Sequence, residues 1–424
     1  MTNPYSRFGV SDEANELGLV AMEQVATVFA KIDEVREYNQ LRVLDAFREC
    51  RFSDVHLGST TGYGYDDIGR ETIEEIFARI FGGQAAYVRM QISSGTQAIS
   101  SMLYGLLRPG DELLSVTGKP YDTLAMTVGI MKEDGFDGSL LDFGVKYSQL
   151  ELLPDGSPDL IKIDDAISSS TRVVFIQKSR GYTGRRALLG DDISAIVKVV
   201  KDKAKKLGKN ENDIIVAVDN CYGEFVEKKE PCELGADICA GSLIKNPGGG
   251  ICTTGGYIVG RKDLVEKVAQ RITAPGLGSH VGPSLGMNRV IAQGIFLAPK
   301  TVSECLKSAI FASKVFELSG LETSPKADEL RGDIVQTITF EDSKKLVDFC
   351  SKIQACSPVD SFVSPEPWDM PGYEDQVVMA AGAFVQGATT ELSCDGPIKP
   401  PYIAYMQGGL VWEQGKLATM LALS

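Results

Sequence analysis

Ile214-Ile215-Val216-Ala217-Val218-Asp219-Asn220 runs through an unbroken apolar stretch straight into an acid and an amide. A strand with one wet face alternates apolar and polar side chains, whereas a strand covered on both faces is apolar throughout. The stretch therefore predicts an interior strand of a mostly parallel sheet, with a carboxylate at its carboxyl end. In open α/β sheets that end is where ligands bind.

The neighbouring sequence continues the pattern. Val173–Gln177 is a second short buried strand, and Ala86–Ile92 and Glu112–Val116 read as strands as well. Thr96–Leu107, Leu124–Met131 and Asp191–Leu207 read as helices between them, the last with lysines crowding its final turn, where the helix dipole favours cations. Strand–helix alternation places the chain in the α/β class. Ahead of it, residues 12–50 form a proline-free helix with an apolar stripe that includes Leu17, Val25 and Ile32. Past about residue 300, Asp333–Phe340 alternates, Lys344–Ala355 is helical and Val377–Leu392 holds further strands. This predicts a smaller α+β domain beyond a long linking helix. The expected division is a helical arm over 1–50, a large ligand-binding domain over 51–290 and a small C-terminal domain over 291–424. Ser357–Tyr373, with four prolines, reads as an ordered loop.

Composition bounds the function. The 424 residues carry a formal charge of −14, which argues against nucleic acid or an anionic membrane as partner. Apolar runs fall short of the roughly 20 residues that span a bilayer, and the N-terminus has no basic-then-apolar leader. The nine scattered cysteines contain no C-x-x-C and fit a reduced, cytoplasmic setting. His56 and His280 are the only histidines, so neither a His-rich metal centre nor a His-driven hydrolase is expected, and no metal site is assigned.

Three segments carry chemistry. Ser93-Ser94-Gly95-Thr96-Gln97-Ala98 follows a strand and opens a helix, leaving N–H groups and hydroxyls as a phosphate seat; an ordinary N-cap would use the same residues. Asp219 sits at a strand end, where it serves either a ligand or a turn. Lys245, in Gly241-Ser242-Leu243-Ile244-Lys245-Asn246-Pro247, is either a surface lysine on a glycine-rich loop or a desolvated amine able to form a Schiff base. Together, in this order, they match the needs of pyridoxal phosphate: an anchor for the phosphate, a carboxylate for the ring nitrogen and an amine for the aldehyde carbon.

With Gly62-Tyr63-Gly64-Tyr65-Asp66-Asp67-Ile68-Gly69-Arg70, Gln177-Lys178-Ser179-Arg180-Gly181-Tyr182, Val218–Phe225 and Glu391-Leu392-Ser393-Cys394-Asp395-Gly396-Pro397, these segments resemble fold-type-I pyridoxal-phosphate enzymes over residues 40–415. More narrowly the chain is similar to the aluminium-resistance group of methionine γ-lyase-like and cystathionine β-lyase-like proteins. The resemblance implies a large, mostly parallel sheet domain with a smaller α+β C-terminal domain, and a carbon–sulfur lyase acting on a sulfur-containing amino acid by β- or γ-elimination. It implies Lys245 as cofactor-bearing base and Asp219 at the ring nitrogen. Ser94, Gly95, Thr96 and Ser242 would hold phosphate, Tyr121 would stack on the ring and pass protons, and Gln177 and Arg180 would lie near the cofactor. Tyr63 or Tyr65, with Arg70, would reach the phosphate of a neighbouring subunit in a dimer or tetramer. Related enzymes hold the substrate carboxylate with an arginine late in the small domain. Here Arg331 is the only arginine after Arg289, so either Arg331 or one of Arg180, Arg185 and Arg186 takes that task, or the substrate differs.

Two other readings share these residues. An aminotransferase has the same fold and cofactor, and a non-catalytic cofactor- or metal-binding resistance protein is consistent with the acidity. Ser242-Leu243-Ile244-Lys245 also fits S-x-x-K, but the S-D-N and K-T-G segments that should accompany it are absent.

Overall fold

A computed structural model describes residues 3–131, 135, 137–370 and 375–424. Its first part runs α1 (Asp12–Glu49), α2 (Ile68–Phe81), β1 (Ala85–Arg89), α3 (Gly95–Leu106), β2 (Glu112–Ser115), α4 (Asp122–Val128), β3 (Lys146–Gln149), α5 (Leu160–Ala166), β4 (Thr171–Gln177), α6 (Gly190–Lys206), β5 (Ile215–Asp219), β6 (Ile238–Ser242), β7 (Gly256–Gly260) and α7 (Lys262–Ile272). The strands form a seven-stranded sheet in the order β1-β7-β6-β5-β4-β2-β3. It is parallel from β6 to β3, while β7 runs antiparallel to both β1 and β6.

The unbroken apolar run in β5 has a direct structural cause. Val216 and Val218 enter a core with Phe77 of α2 and Ile193 of α6, and Ile215 and Ala217 enter a second core with Leu103 of α3 and Val268 of α7. Each face thus has its own covering layer, and every β5 residue is buried. Burying an aliphatic side chain of this size contributes about 1.5–3 kcal/mol.

The chain continues through α8 (Met287–Leu318), β8 (Glu322–Ser324), β9 (Gln336–Thr339), α9 (Ser343–Ala355), β10 (Val377–Ala380), β11 (Ser393–Pro397), β12 (Ile403–Gln407) and α10 (Trp412–Ala422). These strands make an antiparallel five-stranded sheet, β10-β11-β12-β9-β8. α8 links the two sheets: Ile291, Ile295 and Val302 belong to the first core, Ala312 and Phe316 to that of the second sheet. α1 packs along it, and its Val25, Val43 and Ala46 join the first core.

Two expected elements differ in extent. The helix expected over Leu124–Met131 starts earlier and stops at Val128, because Gly129 turns left-handed at φ 101°. Strand structure expected through Leu392 ends at Ala380. The Glu391 carboxylate takes up the N–H groups of Phe384 and Val385 at 2.7 and 2.8 Å, donors that a continuing ladder would have used. Within the proline-rich loop, Trp368 pairs with Val377, and residues 371–373 lie outside the described residues. Among the described residues no helix is long and apolar enough to cross a membrane.

The turn after Lys245 has no room for a side chain at Gly248. A Cβ there would run into the Leu243 carbonyl oxygen and lie 2.8 Å from Cys252 Cβ. Gly248→Ala should lower stability by about 1–3 kcal/mol, whereas Gly184→Ala, with nothing within 4 Å of its Cβ, should be near neutral. Urea and thermal unfolding midpoints of the two variants test this; equal midpoints would contradict it.

Candidate active site

The carboxyl ends of the parallel strands converge on one place. β4 ends at Gln177, β5 at Asp219 and β6 at Ser242, with Lys245 three residues further on. α3 opens beside them, its N-cap Ser94 accepting a hydrogen bond from Gln97 N at 3.0 Å. The first N–H groups of the helix, at Gly95 and Thr96, lie beyond the reach of intrahelical carbonyls. A cavity of about 540 Å³ opens here, lined from the large sheet by Ser94, Tyr121, Asp219 and Lys245 and from the small sheet by Asp395, Tyr405 and Gln407.

The contacts are specific. The Tyr121 hydroxyl donates to Thr96 Oγ1 at 3.2 Å, and Tyr121 N donates to Gln177 Oε1 at 3.1 Å. Asp219 Oδ1 accepts from Cys221 N at 3.0 Å. Burial lifts the Asp219 pKa, against the Cys221 hydrogen bond and the charges of Lys245 and Arg185. Burial, with Asp219 nearby, also raises Tyr121 well above an ordinary phenol, so its hydroxyl keeps its proton.

A Cβ on Gly95 would sit 3.3 Å from both Cys221 Sγ and Ser242 Cβ and 4.0 Å from Lys245 Cε. The missing side chain therefore preserves space between the helix N-terminus, the β6 end and the lysine. A pyridoxal 5′-phosphate group fits this donor set. The seat at Ser94, Gly95, Thr96 and Ser242 suits a phosphate, Asp219 suits a protonated ring nitrogen, Lys245 supplies an amine, and Tyr121 an aromatic face.

Lys245 is held less simply than burial predicts. Burial pushes its ammonium down, but Tyr222, Cys221 and Asp219 outweigh burial and lift its pKa overall. Its Nζ lies 3.6 Å from the centroid of the Tyr222 ring, a cation–π contact. Tyr222 adopts φ 71°, a left-handed conformation that costs a bulky residue about 1–3 kcal/mol. With these side chains alone, Lys245 carries its proton at neutral pH, which differs from the expectation of an amine stripped by desolvation.

The structure brings Ser94, Gly95, Thr96, Tyr121, Gln177, Arg180, Asp219, Ser242 and Lys245 to one cavity. It does not bring Tyr63, Tyr65 or Arg70 to it. Tyr63 and Tyr65 stack on each other at 5.3 Å and are exposed, and Arg70 is buried against the Gly64 and Gly282 carbonyls. Arg185 donates to the Gln177 carbonyl and Arg186 to Asp192, so both are engaged elsewhere. Tyr222 lies within Val218–Phe225, where the sequence alone assigns it no role, and its strained backbone has no sequence signature outside glycine. Tyr182, whose hydroxyl donates to Asp395 Oδ2 at 2.6 Å, was hidden because its partner is 213 positions away.

The model of the methionine gamma-lyase family matches residues 14–424. The chain belongs to the methionine gamma-lyase family. YnbB of Bacillus subtilis (strain 168) is 49% identical over 399 residues, covering 94% of this chain and 93% of that protein. A carbon–sulfur lyase involved in aluminum resistance from Clostridium novyi NT is similar in structure, with a TM-score of 0.93 and 48% identity over 99% of this chain and 97% of that one. An L-methionine gamma-lyase of Pseudomonas putida is 28% identical over 215 residues, 50% of this chain and 46% of that enzyme. The fold is that of the fold-type-I pyridoxal-phosphate enzymes: the pyridoxal-5′-phosphate-dependent protein YhfS of Escherichia coli matches at a TM-score of 0.59 and 15% identity, over 92% of this chain and 95% of that one. Among the described residues no group of three His, Cys, Asp or Glu side chains forms a metal site.

Asp395 gives the cavity a pH signature. Burial pushes its carboxyl up to about 6 from 3.8, while Tyr182 and Lys245 pull the other way. The folded form thus binds this proton more tightly than the unfolded form. The stabilisation is fully present below about pH 4 and is lost as pH rises through about 6. Between those limits the wild-type protein should lose up to about 3 kcal/mol relative to Asp395→Asn. Unfolding curves of both proteins across this range measure it; a pH-independent difference would count against the assignment.

Proposed function

We propose that this protein is a pyridoxal-phosphate-dependent carbon–sulfur lyase that cleaves a sulfur-containing amino acid to a keto acid, ammonia and a thiol by β- or γ-elimination. The observation that carries the reading is the meeting of Lys245, Asp219, Tyr121 and the α3 N-terminus in one cavity of a methionine gamma-lyase family member.

When bound, the cofactor supplies an electron sink that stabilises negative charge at the substrate α-carbon. The chain's own groups do the rest. The α3 N–H groups, with the Ser94, Thr96 and Ser242 hydroxyls, bind the phosphate, and Gly95 leaves it room. Asp219, fixed by Cys221 N, holds a proton at the ring nitrogen. Lys245 would hold the cofactor through Nζ and, once the substrate amine has displaced that nitrogen, would take the α-proton at it. Tyr121 orients the ring and delivers its phenolic proton to the departing sulfur; its raised pKa keeps that proton available. The second sheet, which supplies Asp395, Tyr405 and Gln407 to the cavity wall, limits water at the reacting carbon. Tyr63 or Tyr65, exposed and near the buried Arg70, is suited to complete the phosphate site of a second subunit, so the working form is a homodimer or homotetramer.

Incubating the purified protein, supplied with pyridoxal phosphate, with sulfur amino acids should release keto acid and thiol with no keto acid added. Dependence on an added keto acid would favour an aminotransferase instead. Lys245→Ala should lose the visible absorbance band of the lysine-bound cofactor. Asp219→Ala should bind cofactor weakly and lower kcat by about 10³-fold or more, and Tyr121→Phe by about 10²–10⁴-fold. A Lys245→Ala protein with an unchanged spectrum would sink the assignment.

A further inference from the structure

Arg185 and Arg331 each feel the charges of Arg180 and Asp333; Asp219 also acts on Arg185, and Glu329 and Glu317 act on Arg331. Asp333 is already engaged: Oδ2 accepts from Ser179 Oγ at 3.0 Å and from Arg180 N at 3.2 Å, and Oδ1 accepts from Val335 N at 3.1 Å. Burial and the charge of Arg180 pull Arg331 down to about 10, and burial pulls Arg185 down to about 10, so both stay charged at neutral pH.

Hydrogen bonds and position at the cavity together single out Arg180. Arg185 spends Nη1 and Nη2 on main-chain carbonyls. Arg331 Nη2 donates to Gln336 Oε1 at 2.6 Å; its Nε and Nη1 are buried without a partner, but Arg331 does not line the cavity. Arg180 is 1% exposed and does line it. Its Nη1 is tied to the second sheet, donating to Ser324 O at 3.0 Å and Thr337 Oγ1 at 3.3 Å. Its Nε and Nη2 are buried with no partner. Those two N–H groups form one edge of the guanidinium plane, the fork that matches the two oxygens of a carboxylate.

We infer that Arg180 binds the α-carboxylate of the amino-acid substrate through Nε and Nη2, in place of an arginine from the small domain. The inference rests on the lyase reading above and adds how that site orients its substrate. Asp395 in the same cavity repels a carboxylate, so the charges on its walls allow one orientation of the zwitterion. The Nη1 contacts to Ser324 and Thr337 hold the fork in place and couple its position to the second sheet.

The test uses the cofactor-loaded protein and follows its visible spectrum during titration with L-norleucine, which has no leaving group, and with pentylamine, the same molecule without the carboxylate. Wild-type protein should prefer norleucine by about 100-fold, the worth of a charge-assisted bidentate contact. Arg180→Met should lose that preference while the visible band and the pentylamine Kd stay near wild type. Arg180→Lys keeps the charge but not the fork, serves if the Met variant folds poorly, and should lose at least about tenfold. Wild-type preference in either variant would overturn the inference, as would a parallel weakening of both ligands, which is what a purely structural arginine gives. A wild-type protein that never acquires a visible band would overturn the lyase reading and this inference together.

Discussion

Burial of the central strands on both faces is the constraint from which the rest of this molecule follows. With Val216 and Val218 in one core and Ile215 and Ala217 in another, β5 can present charge only where it leaves the sheet, and that position is Asp219. The same rule sends Gln177 to the end of β4 and Ser242 to the end of β6. Parallel pairing aligns these ends on one edge, and the opening turn of α3 meets them there. The candidate site is therefore a product of core packing: the polar side chains that end the strands, themselves buried, meet at one edge.

The second sheet makes that edge one wall of a cavity. α8 threads both cores, so the sheets are joined by a packed helix as well as by loops. The two walls differ in charge. Asp395, braced by Tyr182, lies on one, and Arg180, with two unpartnered donors, on the other. Such a cavity is suited to a small zwitterion. Strain is concentrated at the same place: Tyr222 holds a left-handed conformation whose ring stands over Lys245, and Gly95 forgoes a side chain so that helix, strand end and lysine can surround one volume.

Much of this was legible before any coordinates. The apolar run ending in Asp219, the small residues opening α3 and the embedded Lys245 each pointed to a site, because strand periodicity and helix-end chemistry are local properties. The resemblance supplied Tyr121 and Gln177, which the structure joins by a hydrogen bond. Of the strands expected within Val377–Leu392 only β10 forms there, because Glu391 reaches back to the Phe384 and Val385 N–H groups, a contact that no period reveals. Tyr63, Tyr65 and Arg70 stand outside the cavity of their own chain.

What the sequence determined by itself was the α/β class, the two-sheet organisation and the identities of the main polar groups at the strand ends, because hydrophobic period and turn chemistry act over a few residues. Only the tertiary structure decided which arginine faces the cavity, that Tyr182 meets Asp395 across 213 positions, and that the neighbours of Lys245 outweigh its burial. Those outcomes depend on which distant groups share a low-dielectric space, and separation along the chain carries no record of that.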